Sequence, residues 1–505
     1  MDAQSNTIIP DSVPPPQPDT SSWWRATDVP PPVGEYSHRF SPVISVLAAV
    51  FLVLALTSVV WLSLSIPKLD RMDAPEAALA RMVSRTMDAQ EGLRRAPEWK
   101  QLVLAWITGD SESERLQAIT WYRELAQVSE DPVVPLQLAV LQAESAQVSQ
   151  ALLSAHEWDR LDEPFPQAAR LIRAAYAEGT TPDRESLDRF QAEAAELLPA
   201  GWFYDRLAER LAMKAGNQEL ASSIQASSTA RADRMFNLSW KLTFVELLAM
   251  LFGTVVLIRV WLTRKRDTDP IRLHSIGVPP PWPGGVGAAV LLRGGALGAL
   301  FTAMFLFYMP PENASLRALA IPMSNVPLLL LAYYHLFRPS GLSFDEGFGL
   351  DVPWNRLGRL AAAVVAVVAA GLWGEWAMDR LAEHWQWTSH WTEWFDAELV
   401  WGSPPQTFVS LIEYVVFAPI FEELAFRGLL FAILRRKFRF LPAALISAGI
   451  FGIAHGYGVL GLVSVCWSGV LWAWIYERTG SLLPGILAHA INNLLVCLAV
   501  MALLR

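Results

Sequence analysis

Charge is scarce in this chain: 18% of its 505 residues are Asp, Glu, Lys or Arg, against roughly 25% in an average soluble protein. The shortfall excludes a wholly soluble single domain. Cysteine is scarcer still. Cys466 and Cys497 are the only two, both inside apolar runs, so there is neither a disulfide framework nor a CxxC metal cluster. Any metal site has to be built from histidine and carboxylates, and no HExxH is present to mark one. Positive charge is not in excess either: 40 Lys and Arg against 49 Asp and Glu give a formal net charge of -9, which offers nucleic acid no basic field.

What is abundant is apolar surface, with 53% hydrophobic residues, 22 Trp and 23 Phe, and it is unevenly spread. Residues 1–42 hold nine prolines and few aliphatics, too little burial to offset ordering entropy, and read as a disordered cytoplasmic tail. Residues 43–66 carry no charge over 24 positions, enough at 1.5 Å per residue to cross a hydrocarbon core of ~30 Å. So long a run, starting this far into the chain, reads as a retained membrane helix rather than a signal peptide. Residues 67–239 change to Ala, Leu, Glu, Gln and Arg, with apolar residues three and four apart, a bundle of amphipathic helices. Gly109-Asp110, Asp131-Pro132, Pro164-Phe165-Pro166, Thr181-Pro182 and Leu198-Pro199 are its expected breaks, and no repeat signature supports a solenoid.

Apolar runs resume near residue 242 and recur at roughly 242–262, 287–309, 317–337, 359–378, 407–434, 441–455, 459–476 and 482–503. With the first span these make about nine. The expected fold is all-α: a polytopic membrane protein with an inserted extracytoplasmic helical domain at 67–239, transmembrane helices over 242–378 and a further membrane core at 407–503. Arg264-Lys265-Arg266, Arg356 with Arg359, and Arg435-Arg436-Lys437 with Arg439 flank span ends that alternation puts in the cytoplasm. The loop 379–406, rich in tryptophan, then faces outside as an interfacial aromatic rim. Gly294, Gly295 and Ser324 inside spans suit close helix packing.

Ionisable groups inside apolar spans are costly and point to function. Span 407–434 contains Glu422-Glu423-Leu424-Ala425-Phe426-Arg427. Glu423 and Arg427, four apart on one helical face, can pair and leave Glu422 free. A buried ion pair that only locks helices would need a single acid. The next span ends Phe451-Gly452-Ile453-Ala454-His455, and the last contains His489-Ala490-Ile491-Asn492-Asn493, with His489 and Asn493 on one face. Counting 1.5 Å per residue from the span ends puts Glu422 about 18 Å, His455 about 21 Å, His489 about 10 Å and Asn493 about 16 Å deep, one layer drawn from three helices.

A carboxylate withdrawn from water, with an imidazole beside it, can hold and deprotonate a water for attack on a carbonyl, while His and Asn donors suit the developing oxyanion. Alternatively Glu422, His455 and His489 could ligate one Zn²⁺ with an open position for water. No carboxylate stands beside His489 on its own helix to orient it as zinc-bound imidazoles are oriented, which favours the metal-free form. Both routes hydrolyse an amide.

In order and on consecutive hydrophobic helices, EELAFR, FGIAH and HAINN resemble the EExxxR, FxxxH and HxxxN motifs of the CPBP family of intramembrane proteases, the CAAX-processing and bacteriocin-processing (Abi) enzymes. The resemblance covers roughly residues 405–503. It implies Glu422 as the water-activating carboxylate with His455 as its partner, His489 and Asn493 as oxyanion stabilisers, and Glu423, Arg427 and Phe451 as support, with one divalent ion or none. It also implies a bacterial inner-membrane endopeptidase acting on membrane-associated or CAAX-like proteins. A non-proteolytic scaffold of the same family is the competing reading, although every catalytic-type residue is intact. A transporter is disfavoured because no inverted repeat is found and the polar groups cluster in the last hundred residues. The 67–239 domain lies outside the family pattern and offers a surface for a protein partner.

Overall fold

The computed structural model describes residues 31–36, 40–108, 111–263, 271–274, 277–308, 314–385 and 387–505. Most of the Pro-rich tail, the Gly109-Asp110 break, the basic run 264–266 and Asn313 of an Asn-Ala-Ser sequon lie outside the described residues. The architecture is all-helical, with no β-strand among the described residues. Nine apolar helices are numbered here in chain order: α1 (Pro42–Ser65), α2 (Gln218–Thr263), α3 (Gly284–Tyr308), α4 (Ala314–Ala332), α5 (Leu357–His384), α6 (404–435), α7 (Phe440–His455), α8 (Val459–Thr479) and α9 (Leu483–Leu504).

Seven described helices have the length and hydropathy to cross a membrane, as a multi-pass membrane protein requires, against an expected count of about nine. The remaining two are α6 and α7. At 16 residues α7 spans only about 24 Å. The α6 segment is interrupted by two π-helical stretches, Glu413–Phe417 and Glu423–Phe431. Pro419 accounts locally for the first: it has no N–H for the carbonyl four residues back, so the turns before it widen. Of the small residues expected to serve close packing, Gly294 and Ser324 lie in the α3–α4 contact, while Gly295 faces Leu52 of α1. A Cβ on Gly294 would fall 2.6 Å from Leu328, and one on Gly298 would fall 2.7 Å from the Ser324 carbonyl.

Between α1 and α2 lie eight shorter helices, from Pro75–Arg95 to Trp202–Lys214. Asp131-Pro132, Pro164, Thr181-Pro182 and Leu198-Pro199 all fall at their ends, where proline cannot continue or must begin a helix. Their apolar stripes meet in one core around Leu79, Tyr122, Leu141, Leu171 and Leu207. No helix ends at the boundary expected near 239–242. Gln218–Thr263 is one helix of 46 residues, whose first turns pack on this domain and whose last turns are apolar. Arg231 on its polar half fixes it there, pairing with Asp88 and Asp205 at 2.7 Å each.

The Trp-rich loop also departs from a simple rim. Trp385, Trp387, Trp394 and Trp401 are exposed, but Trp391 is fully buried and joins the core of the helical domain together with Phe395 and Val400. His390 contacts Glu124 at 3.2 Å and Lys68 donates to Glu393 at 2.6 Å, so the loop docks the helical domain onto the membrane bundle. At the opposite end of the bundle the basic clusters gather: Arg435 pairs with Glu477 at 2.7 Å, and Arg356 donates to the carbonyl of Leu273, whose own N–H bonds Thr479. The bundle therefore has a helical-domain end and a basic end.

Candidate active site

The site is assembled from α6, α7, α8 and α9. Glu423 and Arg427 sit in the π-helical part of α6, both with zero exposure, and Arg427 Nη1 donates to Glu423 Oε1 at 3.0 Å. The guanidinium carbon lies 4.2 Å over the Phe451 ring and 4.9 Å from that of Trp472. Two aromatic faces thus take the place of water around a buried cation. Close approach is possible because two neighbours are glycine. A Cβ on Gly469 would sit 2.7 Å from Arg427 Nη2, and one on Gly485 would sit 3.3 Å from Glu423 Oε2.

His489 is buried on α9 and stacks flat on Trp472, ring centroids 3.9 Å apart and planes 17° apart. Its Nδ1–H donates to Glu423 Oε1 at 3.3 Å, and its Nε2 faces Glu422 Oε2 at 3.8 Å. Glu423 is therefore not simply the partner of Arg427, and Glu422 is not free: the two acids grip the two nitrogens of one imidazole. The carboxylate missing from the helix of His489 is supplied across the bundle by Glu423.

His455 is placed differently from the expectation. Its Nδ1–H donates to the Phe451 carbonyl at 2.7 Å, one turn back on α7, and its ring meets that of Phe451 edge-on at 4.5 Å. This leaves Nε2 as the free nitrogen. No hydrogen bond or ion pair joins His455 to Glu422 among the described residues. The Asn493 amide donates to the Tyr414 carbonyl at 2.8 Å, within the first π-helical stretch, where the widened turn leaves that oxygen available. Glu422 keeps a quarter of its side-chain surface open.

All seven residues singled out in the sequence thus fall in one neighbourhood, with Glu422, Glu423, Arg427, Phe451 and His489 linked in a chain of contacts and His455 and Asn493 at its edge. Trp472, Tyr414, Gly469 and Gly485 were not foreseen. Gly485 could have been, since it continues the every-fourth-residue face of His489 and Asn493. The bonds from His489 Nδ1 to Glu423 and from His455 Nδ1 to the Phe451 carbonyl are of the kind that orients a zinc-bound imidazole, but a zinc site on Glu422, His455 and His489 is not formed in this arrangement, because no three His, Cys, Asp or Glu groups among the described residues converge on one point.

Residues 404–495 match the family model described as Type II CAAX prenyl endopeptidase Rce1-like. Over 88 residues the chain is 35% identical to the Bacillus subtilis (strain 168) protein named "Putative membrane peptidase YdiL". That match takes in 17% of this chain and 36% of that protein, so the chain covers about a third of the length of the curated relative it matches. No solved structure matches. The matched stretch contains EELAFR, FGIAH and HAINN, and the resemblance read from those motifs is borne out for it.

Proposed function

We propose that the chain is an intramembrane endopeptidase that hydrolyses peptide bonds of membrane-associated proteins with a water activated by Glu422. The observation that carries this reading is the pairing of the two acids with one imidazole. Glu423 is spent on Arg427 and on His489 Nδ1, which fixes the ring so that Nε2 faces Glu422, the only partly open acid of the pair. In the reaction Glu422 takes a proton from water as its oxygen bonds to the peptide carbonyl carbon. His455 Nε2, left free by the bond from Nδ1–H to the Phe451 carbonyl, completes the seat of that water. The second N–H of Asn493, the first being held by Tyr414, donates to the oxyanion. On collapse the C–N bond breaks and Glu422 returns the proton to the departing amine, leaving a new carboxyl and a new amine. No step runs through a metal.

The basic residues gathered at one end support a cytoplasmic location for that end, with the N-terminus on the same side and the helical domain outside an inner membrane. CAAX-like proteins are one substrate class consistent with the family match. The deciding experiment compares membrane peptides in cells carrying the wild type and Glu422→Gln. Accumulation of specific uncleaved proteins in the variant, at unchanged protein level, supports proteolysis. Full function of the variant favours a scaffold.

A further inference from the structure

His455 lies at the helical-domain end of the bundle. The turn that follows it begins with Gly456 at φ +68°, against α1, where a Cβ would meet Ser63 Oγ at 2.6 Å. Ser63 is two residues from the end of α1, where the chain leaves for the helical domain. Gly458, the N-cap of α8, faces Glu393 of the Trp-rich loop. A Cβ there would fall 2.8 Å from Glu393 Oε1, and one on Gly461 would fall 3.2 Å from Oε2. Lys68, just beyond α1, holds that carboxylate at 2.6 Å. Asn493 leads to the same loop, because the Tyr414 hydroxyl donates to Asp396 at 2.8 Å.

The two ends of the site differ in packing. Towards the basic end Phe348, Leu424, Phe431, Tyr476 and Leu482 are each no more than 3% exposed and belong to one core. Towards the helical-domain end Tyr457, stacked obliquely on His455 at 5.7 Å between ring centroids, is 44% exposed.

We propose that the site opens only towards the helical-domain face of the membrane. Its substrates are then membrane-anchored proteins whose scissile segment is presented from that face, past the Lys68–Glu393 pair and the loop that docks the helical domain. The hydrolytic part rests on the function proposed above; the direction of access does not.

The test uses the full chain with Cys466→Ala and Cys497→Ala, in sealed membrane vesicles of one orientation or the other, labelled with a membrane-impermeant maleimide. Leu153→Cys reports the helical domain and Lys437→Cys the basic end, both positions being exposed. Tyr457→Cys is expected to react in the preparation in which Leu153→Cys reacts, and Glu393→Ala should speed that reaction several-fold. Val459→Cys, on the same turn and 66% exposed, serves if Tyr457→Cys does not fold. Reaction together with Lys437→Cys, or only after detergent is added, overturns the proposal. Undiminished cleavage by Glu422→Gln would instead overturn the hydrolytic reading and leave the labelling pattern intact.

Discussion

Replacing Arg427 with alanine strands Glu423 in a site where neither side chain has any exposure. Removing one partner of a buried pair costs about 3–5 kcal/mol, because the remaining charge has no water to turn to. Two features of this site place the loss within that range. The cation also lies over Phe451 and Trp472, contacts worth about 2 kcal/mol when desolvated, and their loss pushes the cost up. In the other direction, His489 Nδ1–H stays 3.3 Å from the stranded carboxylate, and a hydrogen bond to a charged group retains roughly 1.5–3 kcal/mol. The expected loss is therefore about 4 kcal/mol. Glu422→Gln is the control: that side chain is a quarter exposed and its contact with His489 is long, at 3.8 Å, so the change should cost less than about 1 kcal/mol. Equilibrium unfolding of both purified variants in mixed detergent micelles measures the difference. The double variant Glu423→Gln with Arg427→Met, which removes both charges, should recover most of the loss. An equal loss in the two single variants, or less than about 1 kcal/mol for Arg427→Ala, would refute the division of labour between the acids.

Gly469→Ala should destabilise the protein by about 1–3 kcal/mol, since its methyl would overlap Arg427 and Ala448; unfolding unchanged from wild type would mean that α8 can move away. Asn493→Ala is expected to lower the cleavage rate by about 10² to 10³, as loss of an oxyanion donor does, while a strong permeant chelator leaves the rate unchanged; the opposite pattern in rate measurements would restore the zinc reading. His390, in the loop outside the membrane, has its pKa lowered by burial against the opposing effect of Glu124. A lowered folded pKa contributes stability that is present above the unfolded value of about 6.5 and is lost as pH falls towards the folded one. Protection against hydrogen exchange across residues 387–401, relative to the intrinsic exchange rate, should accordingly fall as pH drops below about 6.5, and His390→Gln should flatten that dependence.

The residues of the candidate site were legible in the sequence because a membrane makes them conspicuous: acids, histidines and an arginine inside uncharged runs stand out where the same residues in a soluble helix would not. The order and spacing of EELAFR, FGIAH and HAINN also fixed which helices must meet, and counting residues from span ends was enough to put their side chains in one layer. The proline-marked breaks of the helical domain were legible for a similar reason, since a missing N–H acts locally.

Which partner each side chain takes was not legible, because that depends on contacts between helices. The sequence pairs Glu423 with Arg427 along α6, yet only packing of α9 against α6 brings His489 between the two carboxylates, and only Gly485 on α9 and Gly469 on α8 let those two helices come close enough to α6. The bond from His455 to the Phe451 carbonyl and the bond from Asn493 to Tyr414 likewise follow from a helix end and a π-helical turn that hydrophobic periodicity does not register. The seat of the helical domain was decided the same way. Trp391 reads as one more interfacial tryptophan in the sequence, and is buried because tertiary packing offered its ring a dry core.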